Sequence, residues 1–150
     1  ILEFSDSPLH QDLDGRTLGD LLLAPTRIYV KPVLELMRTV PIHAMAHITG
    51  GGLPVNLPRV LPVGTQAVID RDSWQLPPIF AWLQAQGRVA ETEMRRTFNC
   101  GVGLILCVPA TMATLACQRL GELGETAWIL GQLEPCLGPP RVLYKGGTAA

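Results

Sequence analysis

Charge is scarce in this chain. Asp, Glu, Lys and Arg make up 17% of its 150 residues, against about 25% in an average soluble domain. The thirteen acids and the twelve Lys plus Arg leave a net charge of −1, which excludes the basic footprint of a nucleic-acid binder and excludes disorder driven by charge excess. Aromatic residues are few, at 5%, and Trp74, Trp82 and Trp128 are scattered, each reading as a core or interface anchor. Cys100, Cys107, Cys117 and Cys136 are spaced by seven, ten and nineteen. That spacing matches neither a CxxC redox pair nor paired zinc knuckles, so free cytosolic thiols are expected. The opening Ile1-Leu2-Glu3-Phe4 has no initiator Met, basic n-region or cleavage pattern. It reads like the tail of a helix in a chain cut from something longer, which would account for apolar surface left without its usual cover.

Hydrophobic residues stand where charge does not: they make up 47% of the chain, with mean hydropathy +0.25. Residues 39–58 and 97–118 carry no charge at all, each about the length of a membrane span. Gly50, Gly51, Gly52 and Pro54 break the first run and Gly101, Gly103 and Pro109 the second, so neither is expected to cross a membrane. The length suits one domain that hides about 68–70% of the unfolded chain's surface.

Periodicity and punctuation predict a loop over residues 12–19, a short apolar turn over 20–24 stopped by Pro25, and a strand or extended lead-in over 26–30. A helix follows with Pro32 in its first turn and Val33, Leu34 and Met37 on one face. Residues 43–49 read as a half-buried strand feeding the three glycines and a small helix over 55–60. A strand over 66–70, a helix from Pro77 and Pro78 to Gly87 and a short helix over 91–97 come next. In that short helix Glu91 is placed to pair with Arg95 and Phe98 closes the element. The apolar run 101–108 is the best central-strand candidate. Thr111 can cap a helix carrying Met112, Leu115, Ala116 and Leu120, and two strands follow over 127–133 and 141–144, with a fraying end at 146–150. There is no internal repeat, and the expected class is α+β: a mixed β-sheet with packed helices.

Chemistry concentrates in two islands. In residues 47–59, glycines would let backbone N–H groups approach an anion and a following helix would add partial positive charge, which suits a phosphate. The island lacks both GxGxxG spacing and the lysine of GxxxxGK[ST], and three glycines equally serve a tight strand-to-helix turn. Arg59 is either a donor fork or a structural arginine. His43 and His47 fall on one face, but no third metal ligand is evident and no metal site is expected. In residues 95–101, Asn99 either faces a site at the strand entrance or makes a cap, and Cys100 reads as a packed thiol.

These strings carry a specific resemblance. Ala24-Pro25-Thr26-Arg27-Ile28-Tyr29-Val30, His47-Ile48-Thr49-Gly50-Gly51-Gly52 with Asn56-Leu57-Pro58-Arg59-Val60-Leu61-Pro62, Phe80-Ala81-Trp82-Leu83-Gln84, and Glu93-Met94-Arg95-Arg96-Thr97-Phe98-Asn99-Cys100-Gly101-Val102-Gly103 resemble the phosphoribosylformylglycinamidine cyclo-ligases, or aminoimidazole ribonucleotide synthetases, in their C-terminal half. The resemblance implies a three-layer, partly ferredoxin-like α+β domain over residues 1–150, truncated on its N-terminal side and lacking the N-terminal ATP-binding domain. It implies ATP-dependent closure of formylglycinamidine ribonucleotide to aminoimidazole ribonucleotide, with ATP and Mg²⁺ bound mainly by the absent domain, in a cytoplasmic homodimer. The fragment alone would be inactive. Carried over residue by residue, His47, Thr49, Gly50, Gly51, Gly52, Asn56 and Asn99 would face the ribonucleotide or its phosphate. Val55 stands where such enzymes usually have Glu, and Asp70 and Asp72 read as a strand end and a cap rather than a magnesium cluster. A related ATP-using enzyme of the formylglycinamidine synthetase or selenophosphate synthetase type is the second reading, and a non-catalytic binding or dimerisation module the third. An apolar or glycine-lined exposed face is expected beside residues 50–52 and Asn99.

Overall fold

The computed structural model describes residues 9–147. The helix tail expected at residues 1–4 and the last three residues of the fraying end lie outside the described residues.

The polar stretch expected to be a loop is a hairpin, β1 (Asp12–Leu13) and β2 (Arg16–Thr17). Asp14 at φ 60 and Gly15 at φ 79 supply the two left-handed positions that such a two-residue turn requires. Thr17 then caps α1 (Leu18–Leu22), its hydroxyl oxygen accepting from the Asp20 N–H at 3.1 Å. Residues 26–29 join no strand, Tyr29 already having helical backbone angles, and they lead into α2 (Val30–Leu36), with Pro32 in the first turn. The buried face of α2 is Val33 and Leu36, continued by Val40, while Leu34 and Met37 are exposed, which corrects the expected face. The reason is tertiary: Leu36 and Val40 pack on Ala116 of α6 (Ala113–Glu122). No Thr111 cap forms on α6; a 3-10 turn over Ala110–Met112 starts it instead.

The class is α+β. β4 (Thr65–Asp70) pairs antiparallel with β6 (Gly131–Pro135) and parallel with β7 (Arg141–Lys145), a mixed three-stranded sheet in the order β6-β4-β7. β3 (Ala44–His47) and β5 (Leu104–Cys107) form a separate antiparallel ladder with Ala46 opposite Ile105. The run 101–108 therefore supplies a four-residue strand with one partner rather than a central strand. Between the two ladders lies the core of Ala46, Ile48, Leu53, Leu57, Leu61, Ala67, Ile69 and Val102, each large aliphatic side chain stabilising the fold by about 1.5–3 kcal/mol.

α3 (Gly52–Asn56) continues as a 3-10 turn over Leu57–Val60, starting three residues earlier than the sequence pattern indicated. α4 (Pro78–Gly87) opens on its prolines and stops where Arg88 takes a left-handed φ of 48. It buries Trp82, with Ile79, Phe80 and Leu83 only half-buried. α5 (Glu91–Thr97) buries Met94 and is closed by Phe98, whose ring lies 5.7 Å from that of Phe80.

Candidate functional site

The strand β3 carries the chain outward to exposed Thr49 and Gly50, and Gly51 at φ 97 and Gly52 at φ 57 turn it back into α3. These glycines differ in what they permit. At Gly50 a Cβ would meet nothing within 4 Å, at Gly51 it would press on the Val55 side chain, and at Gly52 it would run into the carbonyl oxygens of Arg95 and Phe98. Gly52 thus lets the start of α3 sit directly against the backbone at the end of α5. This contact joins the glycine block to the island at residues 95–101, two segments far apart in sequence.

Asn56 is the buried polar residue of this junction, 6% exposed. Its amide donates to the carbonyl oxygens of Gly52 at 2.9 Å, Gly50 at 3.2 Å and Thr49 at 3.3 Å. Its own oxygen accepts from Arg59 Nη1 at 3.4 Å. Asn56 therefore faces the turn's backbone, not the open side. Asn99 accepts from the Gly101 N–H at 3.0 Å and shapes the turn into β5, while its carbonyl accepts from the Val102 N–H at 3.0 Å. The intervening Cys100 is left-handed at φ 51 and buried, and burial pushes its thiol pKa up. That suits the packed thiol expected of it, and all four cysteines are free.

His47 is exposed at the end of β3, its ring edge-on to Tyr29 with centroids 6.1 Å apart. The Tyr29 hydroxyl packs against Gly103, where a Cβ would collide with it. Burial first, then the Glu125 carboxylate, raises the Tyr29 pKa, so the group is a neutral donor. Arg27 holds this segment in place by pairing with Glu125 at 2.7 Å and donating to the Gly124 carbonyl at 2.9 Å. Tyr29 is the residue that reading for site chemistry missed; its signal was membership of the string at residues 24–30. His43 is exposed just ahead of β3, and among the described residues no three His, Cys, Asp or Glu side chains gather as a metal would need.

The open side of the turn consists of His47, Thr49, Gly50 and half-buried Gly51, whereas Gly52 and Asn56 are buried within the chain and Asn99 is half-buried. Of the expected glycine-lined face, Gly50 and Gly51 are open beside exposed Val55, whereas Gly52 is packed inside. The larger uncovered apolar surface lies elsewhere: a groove of about 680 Å³ runs between β5 and residues 127–133, with Leu104, Leu106, Ala116, Trp128 and Leu130 in its walls. None of the seven candidate residues lines it. Glu125 is its charged lining residue and is already paired with Arg27. The groove is lined mainly by apolar side chains and shares Tyr29, but no candidate residue, with the surroundings of the turn, so the candidate site stays at the turn.

Behind the turn, Arg95 of α5 lies over the rings of Tyr144 at 4.9 Å and Trp74 at 6.0 Å. Its guanidinium also pairs with Glu91, while the Trp74 ring N–H donates to the Cys100 carbonyl at 3.0 Å. This seam ties the site to the three-stranded sheet. Asp70 and Asp72 are engaged locally, Asp70 accepting from the Asp72 N–H at 3.1 Å and Asp72 from the Gly147 N–H at 3.0 Å.

Two comparisons with known proteins bear on this arrangement. A family model described as "AIR synthase related protein, C-terminal domain" matches residues 1–137. The chain is also 52% identical over 146 residues to the protein named phosphoribosylformylglycinamidine cyclo-ligase of Nitrosospira multiformis, a match that covers 97% of this chain and 42% of that relative. The chain thus spans less than half the length of the curated relative it matches.

Proposed function

The chain belongs to the family of AIR synthase related C-terminal domains, and from that premise we propose that it forms the ribonucleotide-facing wall of an ATP-dependent cyclo-ligase. The reaction assigned to the whole enzyme converts formylglycinamidine ribonucleotide to aminoimidazole ribonucleotide, ADP and phosphate, in purine biosynthesis. The observation that supports this reading is the junction of the glycine turn with the end of α5, next to which His47, Thr49 and Gly50 are exposed and Gly51 is half-buried. Among the described residues no acceptor meets the N–H of Gly50 or Gly51, so both are available to a phosphate. His47, steadied by the Tyr29 ring, adds a side-chain donor beside them.

The residues present do not fit Mg²⁺-ATP. Asp70 and Asp72 are spent on backbone N–H groups, no cluster of three ligating side chains exists among the described residues, and the turn holds no lysine. In our reading the nucleotide and its metal are held by polypeptide corresponding to the remainder of the relative, joined to this chain as a single substrate-cleft domain. No helix among the described residues is long and apolar enough to cross a membrane, and a cytoplasmic homodimer is part of the same proposal.

A chimera tests it: this chain replaces the matching region of the Nitrosospira cyclo-ligase, and ATP-dependent ring closure is followed by ADP release. Turnover within about tenfold of the parent supports the reading. A folded chimera that binds ATP but neither binds nor turns over formylglycinamidine ribonucleotide overturns it.

A further inference from the structure

Three carbonyl oxygens, those of Thr49, Gly50 and Gly52, converge on one side of the turn. Oxygens gathered in this way repel one another, and the buried one, that of Gly52, requires a donor. The Asn56 amide is that donor, and at 6% exposure it is shielded from competing water. We propose that Asn56 is a positioning residue: it never meets the ligand, but it holds the carbonyls of the turn inward so that the N–H groups of Gly50 and Gly51 stay free for a phosphate monoester. A turn without this clamp can rotate its peptide planes, and a peptide plane that turns its carbonyl outward presents an acceptor where an anion needs a donor. Glycine makes such rotation easy, because both φ signs are accessible to it. The very residues that allow close approach of a phosphate therefore also require an external lock. Gly52 is fixed a second time by its contact with Arg95 and Phe98, whereas a Cβ at Gly50 would meet nothing within 4 Å, which leaves the bond from Asn56 as the contact that orients its carbonyl.

The phosphate half of this inference rests on the reading above; the clamp half rests on geometry alone, and the experiment separates them. In the chimera, Asn56→Asp keeps the shape of the side chain but places carboxylate oxygen where the amide donates. Three measurements follow: hydrogen exchange of the peptide spanning residues 48–56, KM for formylglycinamidine ribonucleotide, and KM for ATP. The expected result is at least tenfold faster exchange of the Gly52 amide, whose N–H bonds to the Thr49 carbonyl at 3.0 Å. KM for the ribonucleotide rises at least tenfold with kcat changed less than threefold and KM for ATP unchanged, since a phosphate far from the reacting bonds contributes binding common to ground and transition states. Asn56→Ser, which removes the amide without adding charge, stands in if Asn56→Asp does not melt cooperatively, with the same expectations. Gly50→Pro deletes one proposed N–H donor while leaving Asn56 in place; it should raise KM for the ribonucleotide without speeding Gly52 exchange. Unchanged exchange in the Asn56 variants overturns the clamp. Faster exchange with unchanged KM, or Gly50→Pro with unchanged KM, overturns the phosphate assignment, and an inactive wild-type chimera overturns the functional reading while the exchange result still decides the clamp.

Discussion

The glycine turn and the β5 groove are both built from stretches without charge, yet they are opposite kinds of structure. At the turn, backbone lies against backbone, Gly52 on the carbonyls of Arg95 and Phe98, and the buried polar side chain has four partners. At the groove, aliphatic side chains line about 680 Å³ of space and no residue of β5 is fully buried. Low charge therefore has two meanings in this molecule: close packing where glycines allow it, and uncovered apolar wall where they do not. Hydrophobicity alone does not separate them, because packing density depends on what lies opposite.

The sharpest way to break the comparison is to add one methyl group at each end of the turn. Gly52→Ala forces a side chain into a left-handed residue, costing about 1–3 kcal/mol, and into two carbonyls, costing about 1–3 kcal/mol more. Gly50→Ala, with open space around it, should change stability by less than about 0.5 kcal/mol. Urea unfolding of the two variants measures the difference; if both unfold at the wild-type midpoint, the turn is not sterically locked and differs from the groove in name only.

A second pair of substitutions compares the regions through the same chemical deletion. Leu53, 3% exposed in α3 beside the turn, should cost about 2–5 kcal/mol as Leu53→Ala. Leu106, half-buried in the groove wall, already lacks neighbours on one side, so Leu106→Ala should cost less than about 1.5 kcal/mol. Equal losses, measured by denaturant midpoints with unchanged m, would show that the groove is as well packed as the core.

How far this contrast was legible in the sequence depends on the element. α4 and α5 were readable almost to the residue, because Pro78, Gly87 and Phe98 punctuate them through local backbone chemistry. The Asp14-Gly15 hairpin carries an equally local signal, although polarity alone predicts a loop there. β5 lies within the apolar run that predicts a strand, but not at the centre of a sheet: a continuous apolar run implies cover on both flanks, and periodicity cannot report that one flank is empty. The face of α2 was likewise decided by α6, some eighty residues away. At the site, the glycine string located the turn and the resemblance attached Asn99 to it. Whether Asn56 points at a ligand or back at its own turn is a question of side-chain direction, which leaves no trace in residue spacing.

The thiols extend the comparison to reactivity. Burial raises the pKa of Cys100 behind the turn and of Cys107 and Cys117 at the groove, so all three should react more slowly than a free thiol. Access then distinguishes them: Cys100 is 4% exposed, whereas Cys117 lines the open groove. Iodoacetamide at pH 8, followed by peptide mapping, should label Cys117 at least tenfold faster than Cys100, and comparable rates would mean that the turn opens as readily as the groove.

The smallest effect lies within α5 itself, where steric and electrostatic holding can be set side by side. Glu91 pairs with Arg95 and, at 3.3 Å, with Arg71. The hydrogen bond from Arg95 does most to lower its pKa, the charges of Arg95 and Arg71 add to this, and burial opposes it. Because the folded-state pKa is depressed, the stabilisation is fully present above the unfolded value of about 4.3 and is lost as pH falls through the lower folded value. Glu91 is half-exposed, so water and salt screen the pair, and Glu91→Gln should cost only a few tenths of a kcal/mol at pH 7. That difference should shrink in high salt and vanish at the acid end of the titration; a loss that persisted there would have to come from packing of the side chain rather than its charge. One turn of helix thus holds the site in two ways, weakly through the Arg95 guanidinium and strongly through the Arg95 carbonyl pressed against Gly52. It follows that Arg95→Lys, which alters the first and leaves the second, should move stability far less than Gly52→Ala.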